Sequence, residues 1–230
     1  TYGKVAAAAA KLTAPDPKSL KLRDPKTWTI AGTGKKRLDT RQKLDGSLQY
    51  AIDTKLPGML NASVKSCPVF GGKLVSYDAA AVMKKPGVKG VVKVNDSTVA
   101  VVADTWWRAN EALEALPIVW DEGKGAKESS ATILAHLKTG LANTDSYASR
   151  KVGDASAAIA ASAKKVEATY FTPFLSHATM EPMNCTARIT GDKAECWVPT
   201  QNGEAALAAA SEASGLPLAK CDVHKTLLGG

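Results

Sequence analysis

Three short segments carry residue types that could do chemistry. His177 and Glu181 stand four apart, just ahead of Pro182, in the run Leu175-Ser176-His177-Ala178-Thr179-Met180-Glu181-Pro182. Pro199-Thr200-Gln201-Asn202 follows some twenty residues on, and Thr226-Leu227-Leu228-Gly229-Gly230 comes last. A histidine and a glutamate at this spacing can fix a turn or orient a polar group. Paired glycines at a strand exit let the backbone take positive φ and let a ligand approach the amides closely. Other chemistries find no support. His136, His177 and His224 have no nucleophile elbow near them. Cys67, Cys185, Cys196 and Cys221 form no CxxC and no zinc or iron–sulfur spacing. Gly32-Thr33-Gly34-Lys35-Lys36 lacks the four-residue spacing and the Ser or Thr of a phosphate loop.

The elements that must position these segments are a mixture of strands and helices, an α+β chain. Its 230 residues are 45% hydrophobic, enough to bury a real core. The net charge of +8 is spread over scattered lysines with no aromatic interleaving, so a solvated basic surface is favoured over nucleic-acid binding. The apolar runs are too short to span a membrane. A first region, 1–36, reads as a helix followed by a proline- and lysine-rich extended connector. Between residues 37 and 125 strand and capped-helix signals alternate. Strands are expected at 47–53, 59–65, 74–77, 88–94, 99–103 and 118–120. A helix capped by Asp104 or Thr105 should pack through Trp106, Ala109, Leu113 and Leu116. Residues 126–164 read as a helical connector, with helices at 133–141 and after Asp154.

From 165 to 230 a strand at 166–172 leads to a hairpin over 184–198. Ile189 should face Ala194 and Cys196 should face Ala187, which sets Cys185 and Cys196 diagonally, further apart than a disulfide prefers. Four free thiols are expected. Asn202 should cap a helix ended by Gly215 and Pro217, with a last strand over 220–226. Cys221 and His224 would then point to opposite faces of that strand.

Several motifs occur in a fixed order: Arg37-Leu38-Asp39, Lys43-Leu44-Asp45-Gly46, Asp53, Leu56-Pro57-Gly58-Met59-Leu60, Pro86-Gly87-Val88, Ala100-Val101-Val102-Ala103-Asp104 and Trp107-Arg108-Ala109. In that order they resemble the α/β hammerhead domain of the aldehyde oxidase and xanthine dehydrogenase superfamily of molybdenum hydroxylases. Residues 1–30 and Cys67-Pro68-Val69-Phe70-Gly71-Gly72 are similar to its isoquinoline 1-oxidoreductase β-subunit and membrane-associated aldehyde dehydrogenase branch. The resemblance implies a hammerhead over 37–125 and the first part of a molybdopterin-binding domain over 165–230. It implies that His177, Glu181, Gln201, Gly229 and Gly230 lie near a molybdopterin-type cofactor, cytosine dinucleotide in form. Members carry a glutamine shortly before the glutamate, where this chain has Phe174-Leu175-Ser176.

The resemblance further implies an internal fragment, inactive alone, whose parent oxidises an aldehyde or hydroxylates an N-heterocycle with water-derived oxygen. No catalytic residue is assigned within the chain, because the family's base glutamate would lie beyond Gly230. Iron–sulfur clusters would sit on a small partner subunit, with a cytochrome c as acceptor and a periplasmic or membrane-associated bacterial location. The alternative is a non-catalytic interaction module that keeps the hammerhead fold.

Overall fold

The structure is a computed structural model that describes all 230 residues. Residues 1–38 are exposed throughout: helix α1 (Tyr2–Ala9) leads into a connector with two short 3-10 turns, each capped by an aspartate ahead of a proline. Helix α2 (Thr40–Asp45) follows, ending on Gly46.

The first core gathers between residues 61 and 121. Strands β1 (Asn61–Ser66) and β2 (Lys73–Tyr77) precede the short helix α3 (Ala80–Met83). Then come β3 (Val88–Asn95), β4 (Thr98–Ala103), helix α4 (Trp106–Glu114) and β5 (Ile118–Asp121). β4 lies at the centre of an antiparallel sheet, in the order β1-β4-β3, while β2 and β5 form a separate antiparallel pair. The β-branched run of β4 suits that central place, and five of its six residues are buried. Val82, Val99, Val101, Ala112, Leu113 and Leu116 close into one apolar cluster between α3, β4 and α4.

Local chemistry sets the ends of these elements. Thr105 caps α4 through its hydroxyl, which accepts the Arg108 amide. Gly87, at φ 79°, turns the chain into β3 so tightly that a Cβ there would lie 2.6 Å from Arg108 Cδ and overlap the Asp104 carboxylate. That carboxylate pairs with Arg108 one turn along. The glycine therefore serves both the backbone conformation and the close approach.

Helices α5 (Ser130–Leu141) and α6 (Ala155–Ala161) follow, each capped by the residue before it, Ser129 and Asp154. The second core is smaller. Strands β6 (Thr186–Ile189) and β7 (Ala194–Val198) form a hairpin. Helix α7 (Gly203–Ser214) then carries the chain over to β8 (Cys221–Lys225), which pairs parallel to β7. Ala194, Ala210 and Cys221 are buried there, with Cys196, Leu207 and Leu216 around them. Asn202 caps α7, and Gly215, at φ 71°, ends it, as the sequence indicates.

Three expectations are corrected. Residues 47–53 do not form a strand: Asp53 Oδ2 accepts the Tyr50 amide at 2.9 Å and closes a 3-10 turn over Ala51–Asp53, leaving only a parallel bridge from Tyr50 to Leu227. A local side-chain acceptor has won over a ladder. Residues 166–172 are exposed and form no strand, since no other strand of the chain lies beside them to take up their backbone groups. Trp106 does not join the core. It is 55% exposed, and the packed stripe of α4 begins at Ala109 and runs through Ala112 and Leu113. The small alanines let the helix close on the sheet, which leaves the bulky first-turn indole outside.

Candidate functional site

Glu181 is where distant parts of the chain converge. Its Oε2 accepts the Gly229 amide at 2.8 Å, and its Oε1 accepts the Ile52 amide and Asn184 Nδ2, each at 3.1 Å. The Glu181 amide donates in return to the Gly229 carbonyl at 3.2 Å. Thr179 Oγ1 donates to the Glu181 carbonyl, and Asn184 Nδ2 also reaches the Pro182 carbonyl. Glycine is required at position 229, because a Cβ there would overlap Glu181 Cβ and lie 2.9 Å from Oε2. At Gly230 a Cβ would be 3.0 Å from Thr179 Cβ.

Of the five expected site residues, Glu181, Gly229 and Gly230 are thus brought together. His177 is exposed and makes no hydrogen bond, and Ala178 between it and Thr179 has φ 43°, a left-handed turn unusual for alanine. His177 and Glu181 therefore form no polar pair. Gln201 is exposed beside the α7 cap, where Thr200 Oγ1 accepts the Asn202 amide. No hydrogen bond joins it to the Glu181 junction. Sequence reasoning missed Ile52 and Asn184. Asn184 had a local signal, an amide side chain two residues after Pro182. Ile52 had none, since it lies 129 positions from Glu181.

A second polar group lies on the face of the β6-β7-β8 sheet away from α7. Glu195, with a side chain only 11% exposed, accepts Arg188 Nε at 3.0 Å and pairs with Lys193 and His224, each at 3.3 Å. Lys193 also pairs with Asp222 at 2.8 Å. His224 stacks on Trp197 with ring centroids 4.7 Å apart, and the Arg188 guanidinium lies over the same indole. The Arg188 hydrogen bond above all, with those of His224 and Lys193, holds the Glu195 carboxyl down at about 2 against the opposing effect of burial. The expected hairpin register, Ile189 facing Ala194, is observed and sets Arg188 opposite Glu195. All four cysteines are thiols. Burial and the neighbouring Cys196 push the Cys185 thiol up to about 11. No cluster of three or more His, Cys, Asp or Glu side chains forms that could hold a metal ion, and no helix is long and apolar enough to cross a membrane.

Residues 139–230 match the family described as a molybdopterin cofactor-binding domain. A nicotinate dehydrogenase of Pseudomonas putida is 26% identical over 183 residues, which cover 76% of this chain and 15% of that protein. The beta chain of isoquinoline 1-oxidoreductase from Brevundimonas diminuta is 26% identical over 230 residues, covering 96% of this chain and 29% of the relative. Among solved structures, quinoline 2-oxidoreductase from Pseudomonas putida 86 superposes with a TM-score of 0.61 at 18% identity, over 86% of this chain and 30% of that one. The chain therefore spans less than a third of the length of these relatives. The chain is thus similar to large subunits of molybdenum-dependent oxidoreductases, and the cofactor-binding match lies in residues 139–230.

Proposed function

We propose that this chain is part of the molybdopterin-binding subunit of a molybdenum hydroxylase, and that its parent oxidises an aldehyde or hydroxylates an N-heterocycle with oxygen from water. Residues 37–125 would be its α/β hammerhead domain and 165–230 the opening of the cofactor-binding domain. Iron–sulfur clusters on a small partner subunit would take the electrons, with a cytochrome c as onward acceptor in the periplasm. The single observation that carries the proposal is the match over residues 139–230, the region that contains the Glu181–Gly229 junction.

The residues present suit a large cofactor at this loop. Gly229 and Gly230 carry no side chain, so a bound group can come close to their backbone. Glu181 fills the side of Gly229 where a Cβ would be, so the group would approach from another side. Thr226 Oγ1, three residues earlier, is buried with no hydrogen-bond partner and offers one more polar contact. When bound, a molybdenum cofactor supplies the redox chemistry, and the protein supplies binding and orientation. This chain's share is to hold the glycine loop in shape, with Gln201 and His177 as solvent-facing residues available to other parts of the large subunit.

The test is turnover by the complete protein with its small partner, in water enriched in heavy oxygen, with an artificial electron acceptor. Aldehydes and N-heterocycles are both offered. One heavy oxygen atom per product molecule is the expected result. No oxidation of either class would defeat the proposal and favour the interaction module.

A further inference from the structure

The carboxylate of Glu181 is directed into the protein. Three N–H donors, from Ile52, Asn184 and Gly229, converge on its two oxygens at 2.8–3.1 Å. An ionised carboxylate accepts at both oxygens and holds no proton to oppose a donor. A glutamine would keep one acceptor oxygen and turn an NH2 toward a backbone N–H, so only one side of the junction would survive. Hydrogen bonds to an ionised acceptor are also about twice as strong as neutral ones. The amide and carbonyl of Gly229 are both taken up by Glu181, and Tyr50 bridges Leu227 beside them.

We infer that Glu181 is a positioning residue: as a carboxylate it locks the Gly229–Gly230 loop to the Ala51–Asp53 turn, so a segment ahead of the first core helps set the conformation of the glycine loop. The bearing of this lock on a cofactor rests on the function proposed above; the lock itself does not.

Amide hydrogen exchange at single-residue resolution on the intact protein reads the lock. In Glu181→Ala the Ile52 and Gly229 amides should both exchange about tenfold faster or more, the factor expected for losing a charge-assisted hydrogen bond. The β6 and β7 amides should keep their rates. Glu181→Gln should restore one of the two amides and not both. Gly229→Ala, whose Cβ would displace Glu181, should loosen Ile52 as well, and the double variant should fall short of additivity. It also keeps the test open if Glu181→Ala fails to fold. Molybdenum retained after gel filtration is the second readout, with Glu181→Gln expected to hold it about 10-fold more weakly. Rates at Ile52 and Gly229 within about twofold of wild type in Glu181→Ala and Gly229→Ala, or full restoration of both amides by glutamine, would overturn the inference. Coupled exchange in a wild-type protein that binds no molybdenum would uphold the lock and remove the function proposed for it.

Discussion

Leu113→Ala is expected to lower the unfolding free energy of the first core by about 2–5 kcal/mol, the range for removing a buried leucine and leaving a cavity. Leu113 is 2% exposed and sits where α4 crosses the β1-β4-β3 sheet, against Val82, Val99 and Val101. Leu137, 51% exposed on α5, supplies the control: its alanine variant should stay within about 0.5 kcal/mol of wild type. Urea denaturation of both variants gives the comparison. A Leu113 variant as stable as the Leu137 variant would mean that α4 does not close this core.

The second large effect concerns acid. The Glu195 carboxyl is lowered from its ordinary 4.5 to about 2 by Arg188 first, then His224 and Lys193. Its folded-state value is depressed, so its contribution to stability is fully present above about pH 4.5 and is lost as pH falls toward about 2. Protection of the β6, β7 and β8 amides should decline through that window in the wild-type protein. Glu195→Gln should flatten the decline and lower protection at neutral pH, because Arg188 and Lys193 then lose their ionised acceptor. Superimposable acid profiles for the two proteins would show that the network does not support this sheet.

Much of the fold was legible in local signals. The caps at Thr105, Asp154 and Asn202, the glycine stop at Gly215 and the hairpin register from Ile189 to Ala194 are all decided within a few residues, and all are observed. Expectations failed where partners are remote. The alternation at 166–172 had the period of a strand but no neighbour to pair with. At 47–53 the same period yielded to one bond from Tyr50 to Asp53. The glycines at 229 and 230 suggested a ligand close to their backbone; the group that the structure places against Gly229 is Glu181. His177 looked like its partner from spacing alone; the left-handed turn at Ala178 was invisible in the sequence, and it separates the two.

Metal analysis by plasma mass spectrometry, on the complete protein purified with the small partner subunit proposed above, tests the central claim most directly. About one molybdenum per molecule of the complete protein is expected, together with cytosine nucleotide released on acid hydrolysis. The isolated 230-residue chain is expected to carry neither. A complete protein that folds, assembles and still holds no molybdenum would contradict membership of a molybdenum enzyme.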